Sequence, residues 1–225
     1  MILSIHQPQY LPWLPYFNKI MDADCFIFLD NVQYQKNGII NRNEILNNNG
    51  RFWLTVPVLN PVKKKIYEVK IDYSKNWMQK HIKSIEENYS KSKNFYFFKK
   101  HIKPIYFKKF EYLADLNIEI ILSIVENFFK KKIKFFRQKN IHTLESGSNL
   151  ILEICKKFNT NNYLSGPGGR NYLDLSSFLK NNINVEFREN KLPIHYLQPN
   201  SKNKFIADVS VLDFILNAGN KKTNL

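Results

Sequence analysis

Glycine, cysteine and arginine are all scarce in this chain, and no apolar run is long. Seven of its 225 residues are Gly and two are Cys. Cys25 and Cys155 each sit in an apolar setting. Two such cysteines exclude a disulfide-stapled secreted scaffold and read as buried thiols in a reducing cytoplasm. No Cys/His spacing of the zinc type occurs, so no metal is expected. No stretch approaches the roughly 20 apolar residues that a spanning helix needs. The first apolar run has no basic residues ahead of it and is interrupted by His6 and Pro8, which argues against a signal peptide. Repeats, Gly/Ser linkers and low-complexity segments are also missing. The net charge is +15, yet only Arg42, Arg51, Arg137, Arg170 and Arg188 among the 34 basic residues are Arg. Lysine supplies the excess. Lys, Asn and Ile share A/T-rich codons, so base composition accounts for the charge, and nucleic-acid binding is discounted against a solvated lysine surface.

The N-terminal 42 residues carry the most pattern. Residues 2–5 and 25–29 are short apolar runs, the form taken by strands buried on both faces. Between them Leu14, Phe17, Ile20 and Met21 recur at helical spacing, so residues 13–22 read as a helix, with Pro12 or Pro15 in its first turn. The opening is therefore β-loop-α-β. Further on, residues 51–71 read as one hairpin, because Arg51–Val58 and Tyr67–Ile71 both alternate. Residues 75–88, 95–113 and 116–130 read as helices, closed by the Lys-rich run 130–139. After these come a helix over 148–158 capped by Ser146 or Ser148, strands at 162–164, 185–187 and 195–197, and a helix over 208–217 capped by Asp208 or Ser210. The class is α/β: a mostly parallel sheet with an N-terminal β-α-β unit, a hairpin and a helical insert lobe. The core takes 1–72 and 140–225, and the insert takes 73–139. With 225 residues the chain is long enough for one or two domains.

Chemistry-bearing residues cluster just past strand ends, where open α/β sheets bind ligands. The first strand runs into His6-Gln7-Pro8-Gln9-Tyr10. His6 faces a helix N-terminus, where a neutral imidazole is favoured for acid/base work. Gln7 and Tyr10 are candidates for substrate contact, in a loop stiffened by proline. The second strand ends at Asp30, a candidate base or orienting carboxylate, followed by Gln33 and by Asn41-Arg42, which could hold an anion. The late strand enters Ser165-Gly166-Pro167-Gly168-Gly169-Arg170. Three of the seven glycines fall in this turn, so the backbone can approach a ligand closely, and Arg170 offers a bidentate clamp for phosphate. No Gly-Lys-Ser/Thr follows, which excludes a Walker A loop. Each cluster has an ordinary alternative: a loop hydrogen bond for His6, an Asx turn or cap for Asp30, and a plain turn for 165–170.

Five stretches, IHQPQYLPWLPYFNKI, FIFLDNVQYQKNGIINRN, WMQKHIKSIEENYSKSKNFYFF, YLSGPGGRNYLD and VSVLDFILNAG, together make the chain similar to the WbqC-like family of bacterial surface-polysaccharide clusters. The resemblance runs from residue 1 to about residue 219. Family members occur in O-antigen clusters and have been suggested to transfer glycine or another amino acid onto an amino sugar. The resemblance implies a cytoplasmic transferase of lipopolysaccharide assembly that forms an amide on the amine of a nucleotide-linked amino sugar. The donor would be ATP-derived, or held on a tRNA or carrier. The family supplies no list of catalytic residues, and no cofactor is implied. A second likeness, by analogy only, is to nucleotidyltransferases and class I synthetases. Those place a His motif at the first helix and a phosphate-binding turn late in the chain. Their His-x-x-His or His-x-Gly-His spacing is absent from this sequence. The alternative function is a non-catalytic protein that binds a nucleotide-sugar or polyanion, including nucleic acid, through the same turn.

Overall fold

In the computed structural model residues 1–189, 195–201 and 204–219 are described. The strands are β1 (Ile2–His6), β2 (Cys25–Phe28), β3 (Arg42–Asn47), β4 (Gly50–Thr55), β5 (Val58–Leu59), β6 (Lys70–Ile71), β7 (Lys134–Arg137), β8 (Asn162–Ser165) and β9 (Asn184–Phe187). The chain forms two compact units. The first draws its described residues from 1–7, 15–31 and 132–191; the second draws from 8–14, 32–131 and 192–225. The expected division set the hairpin region with the sheet. By compactness it groups instead with the helices of 77–129.

The first unit is built on a five-stranded sheet in the order β7-β2-β1-β8-β9, with every neighbouring pair parallel. All four residues of β2 and the three central ones of β1 are buried, as expected of strands covered on both faces. The edge strands β7 and β9 alternate instead between exposed and half-buried positions. Helix α1 (Leu14–Met21) connects β1 to β2. Helix Gly147–Lys157 leads into β8, and Leu175–Lys180 connects β8 to β9. Asp174 caps the latter by accepting from the backbone N–H groups of Ser176 and Ser177. Numbered along the chain, the sheet order is 3-2-1-4-5, so successive strands add on one side of β1 and then on the other. The direction reverses between β1 and β8.

The second unit holds two hairpins and a helical layer. Strand β3 pairs antiparallel with β4, and β5 with β6. Residues 51–71 are thus not one hairpin. Arg51–Thr55 pairs backward onto 42–47 through the tight Asn48-Asn49 turn, and Gly50 takes the left-handed φ of +108° that follows it. Helix α2 is Trp77–Tyr89. The helical run 95–106 passes Pro104 through a π-helical turn at Phe98–Ile102, and Leu113–Ile124 continues into a π-helical turn at Val125–Phe129. Lys130 then adopts a left-handed φ of 56° and ends the helix. The Lys-rich run is therefore not a helix tail. Its Phe135 is drawn to the parallel sheet, where it stacks on Phe28 with ring centroids 5.6 Å apart. Residues 195–197 are not a strand; Tyr196 leaves the backbone irregular to reach Asp213 with its hydroxyl. Among the described residues, no helix is long and apolar enough to cross a membrane.

Asp213, buried in helix Val211–Ala218, organises this unit. Its carboxylate accepts from Tyr89 Oη at 2.8 Å, Tyr196 Oη at 2.7 Å, Gln198 Nε2 at 2.8 Å and Asn217 Nδ2 at 3.2 Å. Burial pushes its pKa up against these donors, which hold it down. Tyr89 Oη also accepts from the Leu46 N–H at 3.0 Å, so α2, β3 and the last helix meet at one hydroxyl. Tyr89→Phe strands that buried N–H and removes one donor from the carboxylate. Urea denaturation should show a loss of about 1–3 kcal/mol.

Candidate functional site at the carboxyl edge of the parallel sheet

Five strand ends line one edge of the sheet, and each carries polar groups. Arg137 ends β7, Asp30 follows β2, and His6 ends β1. Ser165 ends β8, and Arg188 follows β9. The last β1–β8 pair is Ser4 with Leu164, so His6 and Gly166 each lie two residues beyond it on neighbouring strands. They flank the point where the strand order reverses, the place at which sheets of this topology take their ligands.

His6 is fixed by its neighbours. Its Nδ1 lies 3.2 Å from the Gln7 carbonyl, which can only accept, so Nδ1 carries the proton and Nε2 carries the lone pair. The same carbonyl accepts from Tyr16 Oη at 3.1 Å, and the Tyr16 ring packs edge-on at 4.8 Å. Burial pushes His6 down to about 3, with the positive charge of Lys19 adding to it and the Gln7 carbonyl opposing it. The imidazole is neutral, as the sequence suggested, but burial and a lysine account for it.

Lys19 was invisible in the sequence as a site residue. It lies on α1, is only 4 % exposed, and donates from Nζ to the Ile5 carbonyl at 2.9 Å. Burial pushes its ammonium down to about 7. Beside it Asn18 Oδ1 is buried and accepts no hydrogen bond from the described residues. The only sequence signal was a lysine inside a short helix that is otherwise mostly apolar.

Asp30 has a different role from the one expected. It is fully buried and both oxygens are committed: Oδ2 accepts from Arg137 Nε at 2.6 Å and Oδ1 from the Lys139 N–H at 2.9 Å. It locks the end of β2 to the end of β7, shut away from solvent. Arg170 is exposed, ion-paired to Glu189 at 2.7 Å, with its guanidinium 4.5 Å from the Phe187 ring centroid. Its fork is occupied by a carboxylate. Ser165 is buried and donates to the Gly166 carbonyl at 3.1 Å. The three glycines differ. A Cβ on Gly169 would lie 2.2 Å from Ser165 Oγ and 3.0 Å from Leu173, so the fold itself requires glycine there. A Cβ on Gly166 or Gly168 would meet nothing within 4 Å. Neither is needed for packing, and the space above them is open.

The other candidates belong to the second unit. Tyr10 is fully buried; its Oη lies 2.8 Å from His81 Nδ1 and 2.5 Å from Tyr106 Oη. Asn41 is buried and donates to the Val56 carbonyl at 2.9 Å, while its own carbonyl accepts from the Val56 N–H, so it clamps the base of the β3–β4 hairpin. Arg42 donates to the Asn37 carbonyl at 2.5 Å and lies over the Trp53 ring at 4.5 Å. Gln33 is exposed and bridges to Lys65 through its main chain. Tyr10 and Asn41 are structural residues of that unit.

The model of the WbqC-like protein family matches residues 7–225. The chain belongs to that family. It is also similar to an uncharacterized protein, Rv1507c, of Mycobacterium tuberculosis (strain ATCC 25618 / H37Rv). The two are 28 % identical over 221 residues, which cover 96 % of this chain and 94 % of the relative. No solved structure matches.

Two outcomes test this geometry. Gly169→Ala should cost about 1–3 kcal/mol in urea denaturation, because the added methyl overpacks a filled site, whereas Gly168→Ala should stay within about 0.5 kcal/mol. Lys19 has an ordinary value of 10.5 when unfolded and about 7 when folded. Between those values the unfolded chain binds the proton that the folded chain has shed, so stability rises with pH across that window. Below about 7 the burial penalty is complete. Lys19→Met should therefore raise the denaturation midpoint most at pH 6, with the gain shrinking toward pH 10.

Proposed function

We propose that the chain is a transferase forming an amide, which moves a glycine-like amino acid or another acyl group onto the amine of a nucleotide-linked amino sugar in surface-polysaccharide biosynthesis. The observation that carries this reading is the reversal point of the parallel sheet, where a neutral histidine and an open glycine turn occupy adjacent strand ends. Membership of the WbqC-like family, with its suggested transfer of amino acids to amino sugars, agrees with it.

In this reading phosphate oxygens of the nucleotide-linked sugar approach the main chain over Gly166 and Gly168, where no side chain blocks them. The sugar amine attacks in its neutral form. Its lone pair forms the N–C bond to the activated carbonyl, the bond from that carbon to the leaving group breaks with its electron pair, and one amine proton must be removed. In this reading His6 accepts it at Nε2, the nitrogen left with a lone pair by the Nδ1–Gln7 contact. Lys19 tunes this step: while charged it disfavours protonation of His6, and when it loses its proton near neutrality His6 becomes more basic. Asp30, through Arg137, holds the strand ends that frame the site.

The test is incubation of the protein with a nucleotide-linked amino sugar, glycine and ATP, with and without charged tRNA, followed by mass measurement of the sugar. The expected result is a product heavier by one acyl group, formed faster as pH rises through about 7. His6→Ala should lose about a hundredfold or more in rate while still binding the sugar. Absence of product under every donor, with binding of the nucleotide-sugar intact, would overturn catalysis in favour of a binding protein.

A further inference from the structure

A groove of about 550 Å³ opens within the second unit, between the outer edge of β4 and one face of α2. Phe52, Trp53, Leu54 and Thr55 of β4 form one wall, with Pro57 beyond. Trp77, Lys80, His81, Ser84 and Glu87 form the other; their spacing places them along one stripe of α2. The opposite stripe, with Ile82, Ile85 and Tyr89, is buried.

Floor and rim differ in chemistry. The floor is aromatic and uncharged. His81 Nδ1 lies 2.8 Å from Tyr10 Oη, and burial pushes the imidazole down to about 4, opposed by the Thr55 backbone. Trp77 is 4 % exposed, and its indole Nε1–H is buried with no acceptor among the described residues, a costly state for a donor. Trp53, by contrast, is 43 % exposed, although the Arg42 guanidinium covers one face of its ring. An indole braced in this way and left in solvent is a ready stacking platform. The rim is cationic. Lys75, Lys80 and Lys83 line it against a single carboxylate, Glu87, which Lys83 neutralises at 3.6 Å. Among the described residues neither Lys75 nor Lys80 has a carboxylate within ion-pair distance.

We propose that this groove is a binding site for a nucleoside phosphate, the base stacking on the exposed indole of Trp53 and the phosphate meeting Lys75 and Lys80 at the rim. A planar ring explains the exposed indole, and an anion explains the lysines gathered at the rim; a simple phosphate or an acidic peptide would explain only the second. The volume falls in the range of roughly 300–1,000 Å³ usual for small-molecule sites. The site consists only of residues of the second unit and does not rest on the transferase reading.

Calorimetric titration of the full chain with adenosine monophosphate, inorganic phosphate and hexa-adenylate tests it, with tryptophan fluorescence as a second readout. The mononucleotide should bind saturably and quench the indole emission, and inorganic phosphate should not. Trp53→Ala and Lys80→Glu, both at exposed positions, should each weaken binding about tenfold or more, as expected for loss of a stacking surface or a phosphate cation. Weakened binding in these two variants also separates the groove from the strand-end site, which contains neither residue. Tighter, steeply salt-dependent binding of hexa-adenylate would assign the nucleotide to a nucleic-acid strand; similar affinity for both would assign it to the free nucleotide. No binding of the mononucleotide at millimolar concentration, or unchanged affinity in both groove variants, would overturn the proposal.

Discussion

The first unit depends on main-chain hydrogen bonding along both edges of β1. This strand pairs with β2 on one side and β8 on the other, and its inner residues have no exposed surface to lose. A strand hydrogen-bonded along both edges is held in register by two neighbours at once. That register decides where the chain stops being strand. On β1 it stops at His6, and on β8 at Ser165. A slip of one residue would exchange the side chains that face the two covering layers and carry the histidine out of line with the glycine turn. Packing thus fixes the geometry of the strand-end residues before any ligand arrives.

Three buried ionisable groups show three ways of accommodating charge. Asp30 is matched by a guanidinium and a backbone N–H. Asp213 has neutral donors as its partners among the described residues; burial raises its pKa, and the donors satisfy its oxygens. Lys19 donates to a main-chain carbonyl, and burial makes it give up its proton at about neutral pH. The first two arrangements hold elements together. The third is expensive relative to an apolar residue of the same size, and a fold that keeps such a group at its strand ends is retaining something other than stability.

Much of this could be read from the sequence where the determinants are local. The apolar runs gave β1 and β2, the helical spacing gave α1, and the glycine turn after the late strand was evident as a motif. What escaped were long-range pairings. Asp30 and Arg137 are 107 positions apart, so nothing near Asp30 announces that its carboxylate is already taken. Strand β7 is a four-residue edge within a lysine-rich run, and its placement comes from Phe135 stacking on Phe28. The hairpin partner of β4 was misjudged because alternation was weighed above the Asn-Asn-Gly turn signal before it. Arg170 has every chemical attribute of an anion clamp, but Glu189, on the neighbouring strand end, occupies it.

Cys25 and Cys155 have a practical bearing. Both thiols are buried, 1 % and 0 % exposed, and burial pushes them up to about 11 and about 12. At neutral pH almost none of either is thiolate, the reactive form. A cysteine placed by mutation on the surface would therefore be the one that maleimide or spin-label reagents find, without first removing the native pair. The folded chain is in effect a silent background for thiol-directed spectroscopy.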